Sequence, residues 1–211
     1  MKALIISNGE IEDIDLLKKI SEDVDFILCA DGGANYAINA SVKPDLVVGD
    51  LDSIDMDVLD RLKSQNIHVI KFPTKKDNTD TELALEYLIE KGYDEIIFTG
   101  VIGSRIDHTL ANMMLLYKLL KLGIKGKIIN HKNTIHITDS SLTLKKKEGT
   151  FVSVIPIVGT SANVTLKGFE YELNNRVYET SSTLGISNII VEDEGHIELK
   201  DGVCFVIESR D

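Results

Sequence analysis

The 211-residue chain has only two cysteines, three prolines and no tryptophan. Two thiols without CxxC spacing exclude a disulfide scaffold and the common zinc and dithiol frameworks. Cys29 and Cys204 lie in the apolar runs FILCA and VCFVI and are expected to be buried free thiols, a usage that fits a reducing cytoplasm. No apolar run approaches the roughly 18 residues that would suggest a membrane span, so no membrane association is expected. The N-terminus, MKALIISNGE, turns polar after a short apolar run and carries no small-residue cleavage site. It reads as a first strand and not as a leader. Positive charge is also scarce: 23 Lys and Arg stand against 34 Asp and Glu, a net charge of −11. A surface of that sign repels a polyphosphate backbone, so no nucleic-acid partner is expected. The run Lys145-Lys146-Lys147 reads as a solvated strand end. A single nucleotide remains compatible, provided a divalent cation bridges the carboxylates to its phosphates.

What is present is an ordinary globular mixture, 43% hydrophobic and 27% charged. Up to about residue 123, short apolar runs alternate with helical periodicity. Strands are expected at 2–7, 25–30, 46–48, 67–71 and 95–99. Helices are expected at 11–20, 34–39, 55–65, 79–91 and 107–122. Thr79 and Glu82 match a capping box. Leu83, Leu85, Leu88 and Ile89 are expected inside the fourth helix, and Leu110, Met113, Met114, Tyr117 and Leu119 or Leu120 inside the fifth. Alternation of this kind specifies an α/β domain with a mainly parallel sheet, whose ligands bind beyond the carboxyl ends of the strands. After residue 123 no long helical period survives. Nine short strand-like segments, beginning at 127–130, suggest an antiparallel β-sandwich over 124–211.

Five polar clusters follow strands of the first domain. In Gly49-Asp50-Leu51-Asp52-Ser53 two carboxylates stand two residues apart, on one side of an extended chain. Close carboxylates repel unless a cation holds them, and Mg²⁺ accepts one or two carboxylates together with substrate phosphates. A helix-capping Asp/Ser pair is the other reading of this segment. Asp77 and Asp80 flank a helix start, where acidic residues are common; Lys75 and Lys76 before them are suited to phosphate. Gly100 and Gly103 permit close backbone approach before a helix N-terminus, and Ser104, Arg105, Asp107 and His108 follow. Asp31-Gly32-Gly33 opens another helix without matching a dinucleotide or P-loop fingerprint. Taken jointly, the carboxylates, cations and glycine turns at one sheet edge predict Mg²⁺–polyphosphate chemistry.

In this order, ADGGAN (30–35), DLVVGDLDSI (45–54), FPTKKDNTDTELAL (72–85) and TGVIGSRIDHTLAN (99–112) resemble the thiamine pyrophosphokinase family. LKGFEYEL (166–173) and TLGISN (183–188) extend the likeness over nearly the whole chain. The resemblance implies an ATP- and Mg²⁺-binding catalytic α/β domain at 1–123 and a thiamine-binding β-sandwich at 124–211. It further implies a cytoplasmic homodimer, with active sites between one subunit's α/β domain and its partner's sandwich. The activity implied is transfer of pyrophosphate from ATP to the hydroxyl of thiamine, giving thiamine diphosphate and AMP. By motif position, Asp50, Asp52 and Asp80 would bind Mg²⁺ and act in catalysis with Arg105 and Asp107. Asp31, Gly32, Gly33, Lys75, Lys76, Asp77 and Ser104 would contact ATP, and Tyr171, Ser187 and Asn188 would contact thiamine. Asp107 would orient or deprotonate the hydroxyl. His108 and the Lys75-Lys76 pair fall where relatives differ. Two other readings are a non-catalytic ATP–Mg²⁺ sensing module and a pyrophosphokinase for another small alcohol.

Overall fold

Most residues of the first strands are buried, the pattern of a helix-covered parallel sheet. β1 (Lys2–Ile6), β2 (Phe26–Ala30), β3 (Leu46–Gly49) and β5 (Glu95–Thr99) are continuous apolar runs, whereas β4 (His68–Lys71) is more exposed. A computed structural model describes residues 1–71 and 78–211, divided into two units, Met1–His131 and Lys132–Asp211. Lys75, Lys76 and Asp77 lie outside the described residues.

In the first unit every strand pair is parallel. β4 pairs with β3, β3 with β2, β2 with β1, β1 with β5, and β5 with β6 (Lys125–Ile129). The spatial order is therefore 4-3-2-1-5-6, which reverses direction between β1 and β5. The strand read at 127–130 does not open the second domain. Its backbone completes the parallel sheet beside β5, with Glu95 opposite Lys125 and Phe98 opposite Ile128.

Helices α1 (Ile14–Ser21), α2 (Gly33–Asn39), α3 (Met56–Ser64), α4 (Asp80–Glu90) and α5 (Ile106–Lys121) connect the strands. Asp13 caps α1 by accepting from the Leu16 N–H at 2.8 Å. Thr79 caps α4 through the Glu82 N–H at 3.2 Å. The reciprocal bond of the capping box is not seen among the described residues; Glu82 Oε1 accepts from Lys118 on α5 at 3.0 Å. Lys118 also reaches Glu86 at 3.0 Å, so one cation ties α4 to α5. The inward face expected for α5 needs correction. Asn112, Leu115, Leu116 and Leu119 are buried, while Leu110 and Met114 are 57% and 44% exposed. Apolar residues surround this helix, so periodicity alone leaves its rotation open. A specific hydrogen bond, from the buried Asn112 amide to the Val101 carbonyl at 2.9 Å, is made on the face that turns in.

The second unit is antiparallel throughout. It contains β7 (Asn133–Thr138), β8 (Ser141–Lys145), β9 (Phe151–Lys167), β10 (Leu173–Glu179) and β11 (Glu194–Ser209). Several segments read as separate strands are halves of two long ones. β9 unites 150–156 with 163–166, and β11 unites 197–199 with 203–208. Register shifts between Leu199 and Cys204 break β11. Its first half pairs with β8 and the end of β9, and its second half with β7 and the start of β9. Bulges bend long strands. Side chains from both halves share one core that includes Val152, Val154, Val164, Leu166, Ile197 and Val206. The Tyr178 hydroxyl on β10 donates to the Val154 carbonyl across that core at 2.8 Å.

Both cysteines are buried and free, Cys29 in the parallel sheet and Cys204 in the antiparallel unit. Burial raises both thiol pKa values, Cys204 to about 12, which suppresses the nucleophilic thiolate. Glu208 is also buried, bonded to His136 at 3.2 Å and Lys147 at 2.7 Å. Burial alone would raise its pKa, and these two partners together outweigh burial and lower it.

Candidate active site

In a doubly wound sheet, the connections after β1 and β5 leave toward opposite faces and open a crevice between them. A cleft of about 500 Å³ lies there, entirely within the first unit. Ser7-Asn8-Gly9 after β1 and Gly100-Val101 after β5 form its floor, and Asp31 borders it after β2. Asp80 at the start of α4 and Arg105 and His108 at the start of α5 form its rim. The two loops of the floor are tied by backbone hydrogen bonds. The Gly9 N–H donates to the Gly100 carbonyl at 2.6 Å, and the Glu10 N–H to the Ile102 carbonyl at 2.8 Å. Gly100 has φ +66°, and a Cβ there would overlap the Ser7 carbonyl, so glycine alone suits this position. The buried hydroxyls of Ser7 and Thr81 lie 3.0 Å apart and join the end of β1 to the first turn of α4.

Asp31, Asp50 and Asp52 converge: each offers a carboxylate oxygen within 4.8 Å of the others. The convergence follows from strand pairing. Ala30 of β2 is opposite Val48 of β3, so the residues just beyond these strand ends are side by side. Asp31 adopts φ +48° while its N–H donates to the Val48 carbonyl at 2.7 Å. The segment 50–52 is a turn and not an extended pair. Leu51 has φ +71°, and the Asp52 N–H donates back to Asp50 Oδ1 at 3.2 Å. Mutual repulsion within such a group is about 1 to 4 kcal/mol per pair, depending on screening. Asp31 Oδ1 is buried with no hydrogen-bond partner among the described residues. An orphaned carboxylate oxygen beside two further carboxylates is the donor set of a hard divalent cation. Asp80, expected with Asp50 and Asp52, is outside this group of three and lines the cleft from the start of α4.

Arg105 and Asp107 form a forked ion pair, Nε to Oδ1 at 3.2 Å and a terminal nitrogen to Oδ2 at 2.6 Å. Both are largely solvent-exposed. The Arg105 hydrogen bonds lower the Asp107 pKa and Asp107 raises that of Arg105. A carboxylate held this way is a poor proton acceptor. Asp107 thus orients Arg105, which lines the cleft. Ser104 lines the cleft. Gly32 and Gly33 do not. A Cβ on Gly32 would overlap the Asn8 side chain and one on Gly33 the Ile6 carbonyl, so these glycines serve close packing of α2 on β1.

In the second unit Tyr171 and Ser187 are exposed, and Asn188 is 6% exposed. The Asn188 amide makes three hydrogen bonds within the unit and keeps one Nδ2 hydrogen beyond them. Its Oδ1 accepts from the N–H groups of Tyr171 at 3.1 Å and Ile189 at 2.9 Å, and its Nδ2 donates to the Tyr171 carbonyl at 2.7 Å. It therefore fixes the Tyr171 loop. Ser187 has φ +59°, and its N–H donates to Ser153 Oγ at 3.0 Å.

Residues 17–128 match the family model described as thiamin pyrophosphokinase, catalytic domain, and residues 132–204 the one described as thiamin pyrophosphokinase, vitamin B1 binding domain. The chain belongs to the thiamine pyrophosphokinase family. It is 34% identical over 183 residues to the thiamine pyrophosphokinase of Bacillus subtilis, covering 86% of each chain. To thiamine pyrophosphokinase 1 of Arabidopsis thaliana it is 30% identical, covering 87% of this chain and 78% of the relative. The crystal structure of the Bacillus subtilis thiamine pyrophosphokinase superposes with a TM-score of 0.89 at 31% identity and full coverage of both chains. That of the Geobacillus thermodenitrificans protein superposes at 0.87 and 29% identity, covering 100% of this chain and 98% of the other.

Ser7, Asn8 and Gly9, along with Ser53, Thr81 and Asn112, line the cleft without having been singled out as site residues from the sequence. Asn-Gly after the first apolar run is a visible turn signal. Its place at a reversal of strand order is not visible, because that order is set by long-range pairing.

Proposed function

We propose that this chain transfers the pyrophosphoryl group of ATP to the primary hydroxyl of thiamine, giving thiamine diphosphate and AMP. The observation that carries the reading is the Asp31–Asp50–Asp52 group beside a cleft at the reversal of strand order, in a chain matching both family models. Asp31, Asp50 and Asp52 would hold Mg²⁺, which when bound neutralises the polyphosphate and favours displacement at the β-phosphorus. In that displacement the thiamine oxygen bonds to the β-phosphorus, the bridge to the α-phosphate breaks, and the hydroxyl proton goes to solvent or a nearby base. Transfers of this kind depend chiefly on positioning and charge stabilisation.

The backbone of the 7–9 and 100–103 loops would cradle the polyphosphate. Arg105, steered by Asp107, would hold its outer oxygens, with Asp80, Ser104 and the Lys75-Lys76-Asp77 segment near it. Thiamine is a cation with an aromatic ring, suited to Tyr171 and Ser187. A homodimer bringing one subunit's cleft to its partner's thiamine-binding unit is part of the reading. Ile106, Leu110 and Met114, spaced by four on α5, leave an exposed apolar ridge consistent with assembly. Cytoplasmic location fits the two free thiols.

The deciding experiment follows AMP and thiamine diphosphate from ATP, with and without thiamine, in Mg²⁺ and in chelator. Equal amounts of both products, dependent on thiamine and Mg²⁺, are expected. ATP binding without AMP release would indicate a sensing module, and AMP release with a different alcohol another pyrophosphokinase. Ser187→Ala is expected to raise the KM for thiamine about fivefold, one lost hydrogen bond, with the KM for ATP unchanged. Equal shifts in both would remove Ser187 from the thiamine pocket.

A further inference from the structure

Three carboxylates that repel one another are carried on two separate loops, Asp31 after β2 and Asp50 with Asp52 after β3. Strand pairing brings the loops together but ends at Ala30 and Val48. Beyond that point something must fix the second loop against the first.

Asn35 is the residue placed to do so. It sits on α2, four residues after Asp31, and its side chain spans to the far end of the β3 loop. Its Nδ2 donates to the Ser53 carbonyl at 3.0 Å, and its Oδ1 accepts from the Asp55 N–H at 3.0 Å. A carbonyl can only accept and an N–H can only donate, so a single amide orientation satisfies both bonds. The two contacts bracket the segment immediately following Asp52, just before α3 begins at Met56. Asn35 does not line the cleft. It is removed from the reacting atoms and touches the backbone of the loop that carries two of the three carboxylates.

We propose that Asn35 is a positioning residue that holds the Asp50–Asp52 loop at cation-binding distance from Asp31. This rests on the metal reading above. When the clamp is cut, the carboxylates move apart, because one of the ties that hold the 50–55 segment against their repulsion is lost, while Leu51 and Ile54 stay packed on the core. Outer partners of metal ligands are worth about 10- to 100-fold in affinity. Asn35 acts through backbone, so the low end, about tenfold, is expected.

The test measures Mn²⁺ affinity of the full-length protein by calorimetry or spin resonance, in the presence of a non-hydrolysable ATP analogue. Asn35→Ala is expected to weaken Mn²⁺ about tenfold, to raise the Mg²⁺ concentration needed for half-maximal turnover, and to recover turnover at high Mg²⁺ with the thiamine KM unchanged. Asn35→Asp is isosteric, keeps the acceptor for Asp55 and loses the donor to Ser53. It too is expected to weaken Mn²⁺ despite adding negative charge, and it serves if the alanine variant does not fold. An Mn²⁺ affinity within twofold of wild type in Asn35→Ala, or tighter binding in Asn35→Asp, overturns the proposal. Asp50→Asn is the control for the underlying reading. If it leaves Mn²⁺ binding unchanged, the metal site is wrong; if it abolishes binding while both Asn35 variants bind normally, only the role of Asn35 is wrong.

Discussion

Asp50→Asn is expected to lower turnover about 10³-fold at saturating ATP and thiamine, with a melting temperature close to that of wild type. The substitution is isosteric, and the carbonyl oxygen of the introduced amide can still accept from the Asp52 N–H that Asp50 Oδ1 accepts at 3.2 Å. The turn therefore keeps its shape. What is lost is one formal charge from a group whose three oxygens lie within 4.8 Å. A preorganised electrostatic contact to developing charge contributes about 10²- to 10³-fold where single donors have been removed, and a metal ligand stands at the upper end of that range. The corresponding barrier increase is about 4 kcal/mol. AMP formation over a Mg²⁺ titration, beside a thermal melt, reads both quantities. Turnover like that of wild type at saturating Mg²⁺ would take Asp50 out of the metal role. A collapse in melting temperature would show that its carboxylate is structural.

The same group shows what a sequence can and cannot disclose about a site. Short apolar runs ending in Gly or Asp marked the strands of the first unit, since a strand buried on both faces has few alternatives. Asp50 and Asp52 were legible as a pair because they are neighbours in the chain. From the residues alone Asp31 was legible as a polar residue after a strand, and the resemblance added only a contact to ATP. Its partnership with them arises from Ala30 lying opposite Val48, a register fixed by sheet assembly. Asp80 was grouped with them by motif position in the family resemblance. The structure places it on α4, which begins beyond the undescribed segment, at the rim and not in the group. The α5 helix illustrates the opposite case. Apolar residues cover most of its circumference, and the face that turns in buries Leu115, Leu116 and Leu119 together with Asn112, whose amide finds a buried acceptor. In the second unit, alternation located strands but could not show that 150–156 and 163–166 are one bent strand, because a bulge interrupts the period without ending the pairing.

Gly33→Ala is expected to destabilise the protein by about 2 to 3 kcal/mol, a large share of the roughly 5 to 15 kcal/mol that such folds possess. The reason is distance and not backbone freedom, since Gly33 is not among the residues with positive φ. A Cβ at Gly33 would overlap the Ile6 carbonyl oxygen and crowd the Ser7 backbone, and no side chain can swing aside to make room. α2 would have to lift from β1, although Ala34, Ala37 and Ile38 on its buried face pack into the core. At about 2 to 4 °C per kcal/mol for a chain of this size, the melting temperature should fall by about 4 to 12 °C. Gly123→Ala separates this effect from backbone strain: Gly123 has φ +71°, and an added methyl there would meet no atom within 4 Å, so only the left-handed backbone is penalised. That control should cost about 1 kcal/mol. A Gly33→Ala melt no lower than the Gly123→Ala melt would show that β1 and α2 separate easily. Because α2 also carries Asn35, the lifted helix should loosen the Asp50–Asp52 loop as well, and Mn²⁺ affinity should fall together with stability. A variant that melts early yet binds Mn²⁺ like wild type would mean that the packing of α2 and the geometry of the carboxylates are independent.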